Sequence, residues 1–179
     1  MYKIIALIGE AGSGKDTIMK HVLEACPGLH EIVSCTTRPM REGEEEGVNY
    51  FYLTKEAFAE KVLNGEMFEA TCFNNWFYGT AKQSLKEDVV NIGVFNPEGI
   101  EALLSSNEVE VTVYYVRASD KNRLLRQLSR ERDPDVDEII RRFKADREDF
   151  FELEFPYIEL PNDTILGLEN AVKTILSQL

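Results

Sequence analysis

Apolar and polar positions divide the 179-residue chain into strand-like runs and helical stretches in alternation. Lys3-Ile4-Ile5-Ala6-Leu7-Ile8 is a short apolar run and reads as a buried strand, and Thr17 to Leu23 has helical spacing. Pro27-Gly28 breaks that helix, and Glu31-Ile32-Val33-Ser34-Cys35 predicts a second strand. Val48 to Leu53 is β-like by its aromatic content. Thr54 is the expected cap of a helix over Lys55 to Leu63, with Asn64-Gly65 ending it as a glycine C-cap. Met67 to Phe73 and Trp76 to Gly79 flank Asn74-Asn75 as a small hairpin, after which Thr80 is expected to cap a short helix through Lys86. Val89 to Phe95 is a core strand, Ile100 to Ser105 a helix and Val109 to Val116 a further strand. Ser119 or Asp120 caps a long helix on which Arg123, Arg126 and Arg130 share one face, with Leu124, Leu125 and Leu128 on another. Asp133-Pro134-Asp135 interrupts it, and a helix follows from Val136 to about Phe151. A short last strand is expected at Thr164-Ile165-Leu166, then a helix ending near Gln178. Strands alternating with helices predict an α/β fold, a parallel sheet with helices on both faces.

The turn between the first strand and helix carries the strongest chemical signal. Gly9-Glu10-Ala11-Gly12-Ser13-Gly14-Lys15-Asp16-Thr17 places a glycine-rich loop in the context a phosphate-binding loop requires. Glycines let backbone N–H groups curl around phosphate oxygens, and the helix start adds its positive dipole end. Lys15 reaches the β- and γ-phosphates in this reading. Asp16 directly follows the lysine, so the hydroxyl arrives one position late, as Thr17.

Charge narrows the partners. A net charge of −12 argues against general binding to nucleic acid or an anionic membrane. No apolar run approaches the length of a membrane span. Cys26, Cys35 and Cys72 have no metal-ligand spacing and pair with neither His21 nor His30 in a zinc pattern. The first strand begins almost at the N-terminus, so no targeting peptide is expected, and the expected location is the cytoplasm with reduced thiols.

A second basic loop follows the second strand. Arg38 and Arg41 stand either side of Pro39-Met40, and two guanidinium forks there could grip a second phosphate. The competing reading is a solvated loop whose arginines pair with Glu42 and its acidic neighbours.

At these residues the chain resembles the guanylate kinases of the P-loop nucleoside monophosphate kinase group. The likeness runs almost end to end. It is carried by Ser34-Cys35-Thr36-Thr37-Arg38-Pro39-Met40-Arg41-Glu42-Gly43-Glu44, by Gly47-Val48-Asn49-Tyr50-Phe51, by Phe68-Glu69-Ala70 and by Asn75-Trp76-Phe77-Tyr78-Gly79-Thr80. The resemblance implies a single three-layer P-loop domain over 1–179. Its core is 1–34, 88–118 and 152–179, with a small mixed monophosphate-binding insertion over 35–87 and a helical lid over about 119–151. It implies that Gly9, Ala11, Gly12, Ser13, Gly14, Lys15, Asp16, Thr17, Arg126 and Asn162 bind ATP, with Thr17 on Mg²⁺. Arg38, Arg41, Tyr50 and Tyr78 would hold the monophosphate of GMP. Glu69 would accept from guanine N1–H and the 2-amino group, and Ser34 and Thr80 would donate to O6. Lys15, Arg38, Arg130 and Arg142 would be catalytic. Between Arg130 and Arg142 the chain is one residue longer than the family pattern, which makes Arg132 the alternative to Arg130.

Three positions depart from that pattern. Val94 and Asn96 stand where the family has aspartates, and Glu98 where it has glutamine. Asn96 would then contact the 2-amino group by its amide oxygen, and Asp16 would supply through water some acidity lost at Val94. The expected reaction is transfer of the ATP γ-phosphoryl group to GMP or its deoxy form, by a monomer or homodimer. The alternatives are a kinase of different base specificity and an inactive phosphopeptide-binding module of the same fold.

Overall fold

The first apolar run is buried on both faces: strand β1 (Tyr2–Ile8) is buried from Ile4 onward, with Ala6, Leu7 and Ile8 wholly inaccessible. The computed structural model describes residues 1–41, 43–73, 75–130 and 134–179. After β1 come α1 (Lys15–Ala25), β2 (His30–Glu31), β3 (Cys35–Thr36), β4 (Phe51–Tyr52), α2 (Lys55–Leu63), β5 (Met67–Phe73) and β6 (Trp76–Ala81). Then follow β7 (Val90–Val94), α3 (Pro97–Leu104), β8 (Val109–Arg117), α4 (Asp120–Leu128), α5 (Val136–Asp149), β9 (Ile158–Pro161) and α6 (Ile165–Leu176). The first sheet has the order β2-β7-β1-β8-β9, with β2 parallel to β7 and β8 parallel to β9. The second has the order β4-β3-β6-β5, with β3 and β6 antiparallel and β5 and β6 a hairpin.

The chain forms two compact units. One comprises Met1–Ile4, Gly28–Gly93 and Glu98–Val111. Within it the second sheet and α2 share a small core of Cys35, Phe58 and Ala81, packed by Phe51, Leu53 and Met67. Phe58 also stacks on Phe77 with ring centroids 5.6 Å apart. Burying a phenylalanine of this kind contributes about 2 kcal/mol. The other unit comprises Ile5–Pro27, Val94–Pro97 and Thr112–Leu179. In it α1 packs on α6, and Ile18, Val22, Ala171 and Ile175 are buried.

Local signals set several boundaries where expected. Thr54 caps α2 by accepting from the Ala57 N–H, and Gly65 takes φ 68° just past its end. Of the two candidates for the α4 cap it is Ser119 that accepts, from the Asn122 N–H. Asp135 caps α5 through the Glu138 N–H. Among the described residues no helix is long and apolar enough to cross a membrane.

Three expectations are corrected. The single strand over Glu31–Cys35 is two. The Ile32 N–H bonds the Ile92 carbonyl in the first sheet, whereas the Ser34 carbonyl already receives the Phe51 N–H of the second, so the chain changes sheets across Val33. Thr80 does not cap a helix: it lies in β6 opposite Glu69, and only a 3₁₀ turn at Lys82–Ser84 follows. The hairpin ladder continues instead, through Lys82 N–H to the Glu66 carbonyl at 2.8 Å. The last strand is β9, not Thr164–Leu166, because the Thr164 hydroxyl caps α6 by accepting from the Gly167 N–H at 3.0 Å. Pro161 fits β9 because that strand is an edge, where a missing donor costs little.

Candidate functional site

The phosphate-loop candidate joins β1 to α1. Gly14 holds the N-cap position with φ 97°, and no side chain caps the helix. The first-turn amides of α1, from Lys15 to Thr17, have no intrahelical acceptor by the geometry of any α-helix. They and the helix dipole make this end an anion-binding site. Ser13 is wholly buried, its N–H bonds the Glu10 carbonyl at 3.0 Å, and its hydroxyl has no partner. Lys15 is half-buried, while Asp16 and Thr17 are exposed. Asp16 sits in the first turn, where a negative charge complements the dipole.

Two side chains brace the outside of this loop. Arg126 donates to the Gly12 and Ser13 carbonyls at 3.2 and 3.0 Å and to the Asn162 carbonyl at 2.6 Å. Asn162 is buried and its amide donates to the Ser13 carbonyl at 2.8 Å. Both therefore hold backbone carbonyls of the loop, leaving the carbonyls turned away from an anion. Next to Asn162, Asp163 accepts from the Ser119 N–H and hydroxyl, both at 2.8 Å, and so ties down the start of α4.

Helix α4 is inverted relative to a simple amphipathic reading. Arg123 and Gln127 are its buried residues, while Leu124 and Leu125 are exposed. The buried stripe faces polar groups: Arg123 donates to the Ala11 carbonyl at 3.1 Å and to Asp146 of α5 at 2.6 Å. Arg130 lies exposed just after α4. Arg142 donates to Glu138 at 2.9 Å along α5, and Arg141 grips the same carboxylate with two bonds. Those bonds, Arg141 first, hold the Glu138 carboxyl at about 2. Arg132 lies outside the described residues.

A second polar cluster forms in the other unit around Arg38, whose residue is only 8% exposed. Its fork meets both oxygens of Glu44, at 3.0 and 2.8 Å. Glu44 also accepts from the Arg41 N–H at 2.8 Å and the Tyr52 hydroxyl at 2.8 Å. The bond to Arg38 is the main cause that holds the Glu44 carboxyl down at about 2. The Arg38 guanidinium lies 5.4 Å from the Tyr50 ring centroid and 5.8 Å from that of Tyr52. Tyr50 in turn meets Tyr78 edge-on, with centroids 6.0 Å apart. Arg38, Tyr50 and Tyr78 are thus gathered, whereas the Arg41 side chain is exposed. Of the acidic partners expected, Glu42 and its neighbours, Glu42 lies outside the described residues and Glu44 pairs with Arg38.

The base-binding candidates meet across the hairpin. Glu69 pairs with Thr80 in register, and both are buried. Burial pushes the Glu69 carboxyl up to about 7; Thr80 partly offsets this and the Glu98 charge adds to it. Although Thr80 eases the burial of Glu69, its own hydroxyl makes no properly aligned hydrogen bond and is buried. Gly79 permits this arrangement, because a Cβ there would stand 2.5 Å from the Glu69 carbonyl oxygen and 2.7 Å from Met67 Cε. Ser34 is half-buried beside β3, and Asn96 is half-buried between β7 and α3.

Glu44, Tyr52, Arg123, Gln127 and Asp146 were not singled out as site residues from the sequence. Glu44 had a usable signal, a carboxylate three residues after Arg41 in a glycine-containing turn. Asp146 had none, since it meets Ala11 across 135 residues of chain.

Comparison with known proteins bears on the whole chain. The family model described as Guanylate kinase matches residues 1–179. The chain is 33% identical over 180 residues to the guanylate kinase of Thermotoga maritima, covering 98% of this chain and 84% of that one. It is 31% identical over 180 residues to that of Gloeobacter violaceus, covering 97% and 86%. Among solved structures, that of guanylate kinase from Anaplasma phagocytophilum aligns over 99% of this chain and 84% of its own with a TM-score of 0.74. At 21% identity the last is a likeness of fold.

Proposed function

The chain belongs to the guanylate kinase family, and on that premise we propose that it transfers the γ-phosphoryl group of ATP to GMP, giving ADP and GDP. The buried pair of Glu69 and Thr80 carries the choice of guanine. Guanine offers two donors beside an oxygen acceptor on its pairing edge. A carboxylate serves the donors, and a buried hydroxyl without an aligned bond serves the oxygen. Adenine presents a bare N1 there, and leaving a buried carboxylate against it costs about 1–3 kcal/mol or more.

Segment 35–87 is the monophosphate-binding part in this reading, and about 119–151 the lid. Arg38, Arg41, Tyr50 and Tyr78 would hold the GMP phosphate, with Ser34 and Asn96 completing the base contacts. Gly9 to Thr17 would take the ATP phosphates, Lys15 as a point charge and Gly12, Ser13 and Gly14 through the backbone. Arg126 and Asn162 support this function by holding the loop carbonyls outward. Arg130 and Arg142 would close over the transferring group. The GMP phosphate is already ionised, so in-line attack requires no general base; positioning and charge stabilisation supply the rate.

The donor set fits Mg²⁺ brought in with ATP. Thr17 offers an exposed oxygen at the helix start, and among the described residues no cluster of His, Cys, Asp or Glu would hold a metal alone. Mg²⁺ takes few protein oxygens and keeps phosphate and water ligands. Bound there, the ion would neutralise charge on the transferring group.

An assay coupled to ADP release, run across all nucleoside monophosphates, tests the proposal. Fastest turnover is expected on GMP or dGMP. Fastest turnover on AMP, CMP or dTMP refutes the base assignment, and absence of ATP binding refutes the kinase.

A further inference from the structure

Behind the phosphate-loop candidate lies a buried polar cluster that phosphoryl transfer as proposed above leaves unexplained. Arg123 is 2% exposed, yet it is an arginine on a helix that leaves Leu124 and Leu125 exposed. Its Nη1 donates to Asp120 at 2.8 Å and lies 3.7 Å from Glu10, and its guanidinium sits 4.4 Å from the Phe143 ring centroid. A buried ion pair is weak evidence of stabilisation, because apolar residues of similar volume often do as well or better. The geometry at Ala11 supplies a reason to keep it.

Both polar groups of Ala11 are taken by side chains. Its N–H donates to Asp146 Oδ2 at 2.9 Å. Its carbonyl accepts from Arg123 Nε at 3.1 Å and from Gln127 Nε2 at 3.3 Å. The same Asp146 oxygen accepts from Arg123 Nη2 at 2.6 Å, so the two side chains hold each other and the loop at once. In a trans peptide the C=O and the following N–H point in opposite directions. Fixing the Ala11 carbonyl toward Arg123 therefore aims the Gly12 N–H the other way, away from α4. Gly12 has φ 81°, and a Cβ on it would stand 2.6 Å from the Arg123 carbonyl oxygen, so only glycine fits. Glycine also leaves neighbouring peptides free to flip, and a flipped peptide would present a carbonyl where an anion needs a donor.

We infer that Arg123 and Asp146 are positioning residues for ATP: together they lock the peptide groups on either side of Ala11 and so preset the loop amides toward the phosphates. This rests on the reading of Gly9 to Thr17 as the ATP site. Neither residue touches the substrate; both act through the loop backbone.

The test uses the full chain with Asp146→Asn, Arg123→Lys and the paired apolar replacement Arg123→Leu with Asp146→Leu. ADP binding is measured by calorimetry, KM for ATP and for GMP by steady-state kinetics, and folding by thermal melting. Loss of a preset backbone donor set is expected to weaken ADP binding and raise the ATP KM about tenfold in each, while the GMP KM stays within about twofold. In the paired replacement the melting temperature is expected to hold while ADP binding stays weak, which a purely structural ion pair would not produce. ADP affinity within about twofold of the unsubstituted chain in Asp146→Asn, or a GMP KM that rises in step with that for ATP, overturns the inference. If the unsubstituted chain itself binds no ADP, the ATP-site reading falls and takes this inference with it; equal binding by all forms overturns this inference alone.

Discussion

Glu69 stands in register with Thr80 across the β5–β6 hairpin, both buried, one with its carboxyl pushed up to about 7 and the other with a hydroxyl that makes no properly aligned hydrogen bond. A buried carboxyl and a buried hydroxyl without a well-aligned bond are costly to the free protein. A guanine edge would satisfy both, and that relationship yields two tests.

The first is pH dependence. Accepting from two guanine donors requires the ionised carboxylate, which forms as pH rises through about 7. KM for GMP is therefore expected to fall from pH 6 to about pH 8, whereas in Glu69→Gln it is raised and flat. For folding the sign is opposite. The native carboxyl binds its proton more tightly than the unfolded one, with its ordinary value of 4.5, so stability falls as pH rises from there through about 7. Urea midpoints of wild type and Glu69→Gln across that range check it.

Thr80→Val removes the hydroxyl with little change of shape. Because that hydroxyl makes no properly aligned hydrogen bond in the free protein and only partly eases the burial of Glu69, stability is expected to change little. The GMP KM is expected to rise about tenfold, the worth of one hydrogen bond to a buried acceptor. Denaturant unfolding and steady-state kinetics on one preparation separate the two effects.

Glu44→Gln leaves the 8%-exposed Arg38 without its charged partner. A loss of about 1–3 kcal/mol is expected, reduced from the fully buried case because Glu44 keeps some contact with water. In the wild type the Glu44 carboxyl is held at about 2 against an ordinary 4.5. The pair's stabilisation is thus present above about pH 4.5 and lost as pH falls through about 2. Acid unfolding of the variant, compared with wild type, should lack that component.

Lys15→Ala removes the cation that reaches the β- and γ-phosphates in the proposed site. A fall in kcat of about 10²-fold or more is expected, with little change in melting temperature since Lys15 is half-buried whereas Ile18 is wholly buried. Single-turnover kinetics with saturating ATP measure it.

Residues contiguous in the chain were the legible ones. The loop from Gly9 to Thr17 and the caps at Thr54 and Ser119 follow from neighbours a few positions apart, and so do their structures. The parallel core was legible for a related reason, since apolar runs of strand length have few other fates. Thr80 and Thr164 were misread because a threonine before a polar stretch suits a cap or a strand equally, and only the partner across the sheet or the next turn decides.

The sequence by itself determined that this protein has a glycine-rich loop of phosphate-loop pattern at the head of its first helix and two arginines in a second loop. Periodicity also revealed that α4 has two faces. It could not say which one turns inward, because burial depends on what the face meets. The tertiary structure set Arg123 and Gln127 against the Ala11 carbonyl and left Leu124 and Leu125 outside. It likewise gave Arg38 to Glu44 and Asp146 to the Ala11 N–H. Hydrogen bonds are short and directional, so which donor meets which acceptor is fixed only when distant segments are brought together.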